Sequence, residues 1–154
     1  MDKYLKTASV AILIAIMAAS ACKKDQNCSL HPEAFRFRII DGKTGADLLG
    51  TGVYDIDEIG IFYFFNGNRE DLIVTEDTEP SGSYIDLKSA QLPMVSLTRT
   101  DIFYLELNSE DTDTLLVVVE KVTVDGCDHH PYTTVRHNGK ELPVVEGEVF
   151  ILEK

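Results

Sequence analysis

The amino-acid sequence predicts an all-β protein whose fold is a single antiparallel β-sandwich of about seven to nine strands. Apolar residues recur at a period of two over several stretches, which is the spacing of side chains on one face of a strand. Asn66-Gly67 and Asn138-Gly139 follow or interrupt such stretches, and Asn-Gly is typical of tight hairpin turns. Short strands separated by turns favour a sandwich because two packed sheets then bury their apolar faces.

The strands are assigned in chain order from the same alternation. Residues 35–39 alternate apolar side chains with arginines, so the first strand has one apolar face. Residues 59–65 are apolar on both faces, and we expect this second strand at the centre of its sheet. Pro93 and Pro143 fit strand starts or edges, where no ladder hydrogen bond is lost. The remaining strands are predicted at residues 71–75, 84–87, 94–97, 102–107, 114–124, 132–137 and 144–152.

The N-terminal segment has the organisation of a signal peptide. Lys3 and Lys6 precede an uncharged stretch whose apolar centre is residues 10–17. That centre fits a signal-peptide core and is too short to cross a bilayer. Ala19-Ser20-Ala21-Cys22 then resembles a bacterial lipobox, which implies that Cys22 is lipidated and becomes the first residue of the mature protein. Ordinary signal cleavage and a retained anchor are the alternatives.

Lipidation at this cysteine divides the chain into three parts and sets its location. These are a lipoprotein signal peptide at residues 1–21, a lipidated tether at residues 22–33 and a β-sandwich domain at residues 34–154. We expect a protein of the cell envelope, held by its lipid to the outer membrane of a Gram-negative bacterium. The lipid anchor is the membrane contact that the sequence predicts.

The two remaining cysteines are predicted to form a disulfide. Cys28 and Cys127 are an even pair once Cys22 carries lipid, and an exported protein reaches an oxidising compartment. The alternatives are two reduced thiols or a zinc site in which His31 and the His129-His130 pair complete the ligands.

Charge excludes two classes of partner. The chain has 14 Lys plus Arg against 26 Asp plus Glu, which is a formal net charge of -12 at pH 7. Binding to nucleic acid, or electrostatic binding to anionic lipid, requires a cationic surface, and no basic cluster supplies one. We therefore expect no nucleic-acid partner.

A family resemblance appears in the first third of the predicted domain. The stretch from Ile39 to Val53 is similar to the opening of carboxypeptidase-regulatory-like, transthyretin-type domains, and residues 78–84 resemble their later turn. Asp47 stands where that family has Pro. The resemblance implies a seven-stranded prealbumin-like sandwich with a noncatalytic accessory role. An immunoglobulin-like topology is the alternative.

The turns of this resemblance assign roles to four residues. Gly45 and Gly82 are expected to provide the backbone conformations of tight turns. Leu48 and Tyr84 are expected to anchor the segments that follow those turns in the core.

Sequence motifs of catalysis are not found. The chain has no Gly-x-Ser-x-Gly, no His-Glu-x-x-His and no glycine-rich phosphate loop. We therefore expect no catalytic residue, no metal and no cofactor, and a noncatalytic binding or structural module at the cell surface or in the periplasm. The alternative is a metal-binding or hydrolytic domain that uses His129, His130 and His137, which would otherwise be exposed loop histidines.

Aromatic residues are more numerous than one inner face requires. Packing in the core or between the sheets is the expected use of these residues. The alternative is that some face outward, as a patch that binds a surface glycan or a partner protein. The residues are Tyr54, Phe62, Tyr63, Phe64, Phe65, Tyr84, Phe103 and Tyr104.

Overall fold

A computed structural model describes residues 31–78, 84–144 and 149–154 of the chain. The predicted signal peptide, Cys22, Cys28 and Gly82 lie outside the described residues. The predicted three-part division of the chain therefore stays a prediction, and the account below concerns the described part.

Strands make up most of the regular structure. They are β1 Phe35–Ile40, β2 Gly60–Phe65, β3 Asn68–Leu72, β4 Thr75–Glu76, β5 Leu87–Ser89, β6 Ile102–Asn108, β7 Asp111–Val119, β8 Val122–Val124, β9 Cys127–His129, β10 Tyr132–His137, β11 Lys140–Glu141 and β12 Phe150–Glu153. A short helix, α1 Leu92–Thr98, lies between β5 and β6, and one turn of 3-10 helix spans Ile56–Glu58. The protein is therefore mostly β, as the alternation predicts.

The strands form three sheets. A six-stranded antiparallel sheet has the order β11-β10-β7-β6-β2-β3, a four-stranded sheet has the order β12-β1-β5-β4, and β8 and β9 form a two-stranded sheet. β12 runs parallel to β1, with Phe150 opposite Phe37, so the prediction of a purely antiparallel arrangement was wrong. The structure has more strands than the predicted seven to nine because several strands contain only two or three residues.

Both larger sheets contribute side chains to one hydrophobic cluster. Full burial of such a side chain stabilises the fold by about 1.5–3 kcal/mol, so this cluster is the main source of stability. Its fully buried members come from β1, β2, β5, β6, β7, β10, β12 and α1: Phe35, Phe37, Ile39, Ile61, Leu87, Leu92, Phe103, Leu105, Leu107, Leu115, Val117, Val135 and Leu152.

The two predicted Asn-Gly hairpins are confirmed. Asn66 and Gly67 have φ of 51° and 83° between β2 and β3, and Asn138 and Gly139 have φ of 49° and 81° between β10 and β11. Both pairs adopt the left-handed conformation that Asn and Gly tolerate best. A third turn of this kind, Asp125-Gly126, joins β8 to β9 and was not predicted, although Asp-Gly is the same kind of signal.

Several predicted strand boundaries were wrong. Residues 94–97 lie in α1, where Pro93 fits the first helical turn and has no hydrogen bond to lose there. The predicted strand at 114–124 ends at Val119, and a separate strand follows it. The strand predicted at 84–87 begins only at Leu87. β2 is an interior strand, but it lies beside the edge strand β3 rather than at the centre.

The loop after β1 has the predicted tight turn. Asp41 Oδ1 accepts hydrogen bonds from the backbone N–H groups of Lys43 and Thr44, and Gly45 has a φ of 71°. Leu48 is buried as predicted. Tyr84 is exposed, so the prediction that it anchors the core was wrong. The guanidinium of Arg38 lies 4.6 Å from the centre of the Tyr84 ring.

Candidate binding surface

The outer face of the six-stranded sheet carries a group of apolar and aromatic side chains. Residues directly opposite each other on neighbouring strands point to the same face. Phe62 lies opposite Tyr104 and Asp71, and Ile102 lies opposite Leu116. Their neighbours along each strand are buried on the other side. The aromatic face is defined here as Phe62, Phe64, Ile102, Tyr104, Leu116 and Val118.

Three rings form the centre of the aromatic face. Phe62 and Tyr104 are stacked, with ring centroids 5.1 Å apart and an interplanar angle of 17°. Phe64 meets both rings edge-on, at 5.7 Å from Phe62 and 5.6 Å from Tyr104. Stacked and edge-to-face pairs are the favoured geometries of aromatic rings. Phe64 is nevertheless 54% exposed and Ile102 50% exposed, so apolar surface remains open to solvent.

Arg69 on β3 covers the second side of Phe62. The carbon at the centre of its guanidinium lies 3.8 Å from the Phe62 ring centroid. Hydrogen bonds to Glu106 and Asp71 hold the guanidinium there and raise the pKa of Arg69 above its ordinary value. Phe62 therefore has Tyr104 on one side of its ring and Arg69 on the other.

The opposite end of the aromatic face also carries a pair of charges. Arg136 on β10 donates a hydrogen bond of 3.2 Å to Glu141 on β11, which lies directly opposite it. Both ends of the face therefore hold an arginine beside a carboxylate. An apolar centre with a charged rim is typical of protein interaction surfaces.

The outer face of the four-stranded sheet has a different character. Arg36 and Lys88 both pair with Asp77, and Arg38 makes two hydrogen bonds to Asp86, at 2.7 and 2.9 Å. Charged side chains from β1 and β5 therefore cover this face. Ile151 on β12 is an exposed apolar side chain of this sheet, whereas the aromatic face lies on the six-stranded sheet.

The expected packing in the core holds for part of the aromatic set, and the outward-facing alternative holds for another part. Tyr63 and Phe103 are buried in the core. Tyr54 donates a hydrogen bond to Asp111, and Phe65 lies under the guanidinium of Arg99. Alternation separates the two faces of a strand but does not tell which of two apolar faces points inward. The sequence therefore could not select the outward-facing rings.

The three histidines of the alternative function do not share one position. His137 lies on β10 and is buried, so the interpretation of all three as exposed loop residues was wrong for it. Its Nε2 is 2.8 Å from Asp113 Oδ2. His129 ends β9, which belongs to the separate two-stranded sheet, and His130 follows it.

Asp113 is the centre of a buried polar cluster that the sequence did not predict. It accepts hydrogen bonds from Asn138 at 2.7 Å and from Lys154 at 2.8 and 2.9 Å, besides its contact with His137. Burial opposes its ionisation, but these hydrogen bonds outweigh burial and hold the pKa of Asp113 below its ordinary value. The sequence signal that could have revealed this cluster is the alternation of Asp113 with Leu115, which places the carboxylate on the inward-facing side of β7.

The cluster extends to Tyr54 and links the two larger sheets. Lys154 follows β12 and also donates to Asp111 Oδ1 at 2.8 Å, while Tyr54 donates to Asp111 Oδ2 at 2.6 Å. Burial, together with the hydrogen bond to Asp111, raises the pKa of Tyr54 to about 12. The side chains satisfy one another, so the cluster connects sheets and does not present an open reactive group.

The described residues hold no group of three or more His, Cys, Asp or Glu side chains arranged to bind a metal ion. In the same part of the chain no helix has the length and apolarity needed to cross a membrane. Cys127 is buried on β9, while its predicted partner Cys28 lies outside the described residues, so the disulfide stays a prediction.

Comparison of the chain with protein-family models, with curated proteins and with solved structures finds no match. The surface described above and the sequence motifs are therefore the basis of the functional proposal.

Proposed function

We propose that this protein is a noncatalytic binding module of the bacterial cell envelope, attached by a lipid at Cys22, whose aromatic face binds a partner protein. The observation that carries the proposal is the exposed aromatic face itself. An antiparallel sheet ordinarily has one apolar face against the core and one polar face in water. Here the outer face of β2, β6 and β7 is also apolar, which is the pattern of a sheet covered on both sides.

A protein partner suits this surface better than a glycan. A sugar ring packs against an open aromatic face, and both faces of Phe62 are already occupied by Tyr104 and Arg69. Phe64 and Ile102 are instead exposed on this surface, and an arginine lies at each end of it. Aromatic side chains and arginine are enriched among the residues that dominate binding energy between proteins.

The fold that supports this surface is proposed to be a single sandwich of the two larger sheets. Its support is the shared hydrophobic cluster, to which Phe35 of β1 and Leu105 of β6 both belong. The salt bridges from Lys154 to Asp111 and Asp113 add polar contacts between the same two sheets. A prealbumin-like relationship rests on the resemblance of residues 39–53, with the turn at Gly45 as its structural support.

The anchor is tested by replacing Cys22 with Ala. Lipid labelling should be lost, and the protein should move from the membrane fraction to the soluble fraction. Other apolar stretches of the sequence are shorter than a bilayer requires, so they should not hold the variant in the membrane. Labelling that survives in the Cys22→Ala protein would contradict the lipoprotein assignment.

The binding surface is tested by charge substitutions on opposite sides of the molecule. Phe64→Asp and Ile102→Asp should shift the protein from a larger assembly to the size of the single chain when envelopes are solubilised in mild detergent and sedimented. Ile151→Asp is the matched control, because Ile151 is also exposed but lies on β12 of the other sheet. Sedimentation of the wild-type protein as a single chain would contradict binding through this face.

A further inference from the structure

We infer that the partner of the aromatic face is a second copy of this chain, so that two copies pack their six-stranded sheets against each other. The inference rests on the proposed binding function and names the partner. It is carried by the arrangement of charges around the aromatic face.

Charges of both signs lie at each end of this face. Arg69 is paired with Asp71 and Glu106 at the β3 end, and Arg136 is paired with Glu141 at the β11 end. The chain as a whole has a formal net charge of -12, so an interaction surface for a basic partner would be expected to be acidic. The aromatic face instead combines both signs, so it does not select a basic or an acidic partner.

The presence of both signs at each end suits a surface that binds its own copy. In a two-fold dimer the same patch is used by both subunits, so the patch must be complementary to its own copy. Each end of the aromatic face holds both an arginine and a carboxylate. In either relative orientation of the two copies, an arginine at one end of the aromatic face of one copy can face a carboxylate of the other.

The shape of the face also suits packing against a second sheet. Phe64 and Ile102 occupy neighbouring strands at the next position on this face beyond the paired residues Phe62 and Tyr104. Phe64 and Ile102 are 54% and 50% exposed, whereas Phe62 is 7% exposed. Two sheets pack face to face when such side chains interdigitate over a layer of about 10 Å.

Net charge predicts how this dimer responds to salt. Two copies that each carry a large net negative charge repel each other at long range, while the apolar contact and the paired charges act at short range. At about 0.15 M ionic strength the screening length is about 8 Å, against about 30 Å at 0.01 M. The dimer should therefore dissociate more at low salt than at physiological salt.

The experiment is photo-crosslinking of the full lipidated protein in intact envelopes. Phe64 is replaced by the photoreactive residue benzoylphenylalanine, which keeps an aromatic ring at this position, and Ile151 is replaced in the same way as the control. Tagged and untagged copies are expressed together. The expected result is an adduct of twice the chain mass that contains both copies from position 64 and no such adduct from position 151.

The other outcomes separate this inference from the proposed function. An adduct between position 64 and a different protein overturns the second-copy inference, while the proposed binding function stands. If position 64 gives no adduct, or if the doubled mass also arises from position 151, the inference is wrong. A Phe64→Asp protein that keeps its β-type circular dichroism but still sediments as a dimer would contradict it as well.

Discussion

Ser89 and Ser96 are both buried, and their hydroxyl groups have opposite environments. Ser96 Oγ donates to the carbonyl of Val117 at 2.8 Å and accepts from the N–H of Val119 at 3.0 Å. β6 begins only at Ile102, opposite Leu116, so it does not extend along the end of β7. There the Ser96 side chain makes hydrogen bonds to β7 that a neighbouring strand would otherwise make. Ser89 Oγ is buried on β5 without a hydrogen-bond partner in the described structure.

Alanine at each serine should therefore change stability in opposite directions. Ser96→Ala leaves two backbone groups of β7 without a partner and should lower the free energy of unfolding by about 1–3 kcal/mol. Ser89→Ala removes a hydroxyl that lost its water on folding and should raise the free energy of unfolding by up to about 1 kcal/mol. Urea unfolding followed by circular dichroism measures both. Equal losses in the two variants would contradict the assigned environments.

Asp113 should make stability depend on pH in the acid range. Its pKa is lowered in the folded state, so its contribution is complete above the pKa of the unfolded chain, which is about 3.9, and is lost as pH falls through the folded pKa. Asp113→Asn should lower the free energy of unfolding at pH 7 by about 3 kcal/mol, because Lys154 loses a buried partner.

The pH profile separates this effect from a general loss of packing. The difference in the free energy of unfolding between wild type and Asp113→Asn should shrink as the pH falls below about 4. Glu110→Gln is the control, since Glu110 is exposed in the turn that precedes β7. A difference that stays constant from pH 7 to pH 2 would show that ionisation of Asp113 is not its cause.

The loop between β1 and β2 is organised by a carboxylate. Asp47 accepts hydrogen bonds from the backbone of Leu49 at 3.0 Å and of Ile85 at 2.7 Å, so it joins this loop to the segment before β5. A Cβ atom on Gly50 would lie 2.8 Å from Asp47 Oδ2. Glycine at position 50 is therefore needed for this carboxylate to keep its place.

Gly50→Ala should displace the Asp47 carboxylate and lower the free energy of unfolding by about 1.5–3 kcal/mol, the range for a hydrogen bond to a charged group. Gly60→Ala is the matched control, because a Cβ there meets no atom within 4 Å. In a protein that already carries Asp47→Ala, Gly50→Ala should lower the free energy of unfolding by much less. Additive effects of the two substitutions in urea unfolding would contradict this contact.

Two of the three turns determined by adjacent residues were predicted, and elements determined by distant contacts were not. The Asn66-Gly67 and Asn138-Gly139 turns depend on the positive φ of two adjacent residues, which the residue types reveal directly. α1 was mistaken for a strand because its seven residues show too few turns for helical periodicity. Burial of Leu92 and Ser96, which depends on the distant strand β7, is what fixes it as a helix.

The candidate surface was predictable only as a composition. The excess of aromatic residues gave an outward-facing patch only as the alternative to core packing, because the registers that bring Phe62, Tyr104 and Arg69 together are tertiary. The same holds for Asp113 and Lys154, which come from different sheets. The sequence alone indicates how side chains alternate along a strand, but it does not indicate which strands pair with it.

The predicted bond between Cys28 and Cys127 would tie the small β8-β9 sheet to the segment before β1. A two-stranded hairpin alone is marginally stable in water. Closing a loop of about 100 residues should stabilise the fold by up to about 4.7 kcal/mol. Reductant should therefore lower the melting temperature of the exported protein, and chelator should not.

Intact mass measures the same bond directly. Alkylation without prior reduction should leave both cysteines unmodified, and alkylation after reduction should add two groups to them. Two modified cysteines without reduction would contradict the disulfide. A melting temperature lowered by chelator alone would indicate zinc at these residues instead.

The parallel pairing of β12 with β1 determines when the four-stranded sheet can be completed. β1 leaves the ribosome or an export channel well before residues 150–153, and until they follow, one edge of β1 has no partner and Phe35 lacks the stacked ring of Phe150, whose centroid lies 5.0 Å away. Contacts between such distant segments form slowly. The chain therefore emerges with an open, apolar strand edge, which gives a chaperone time to bind it before folding closes that edge.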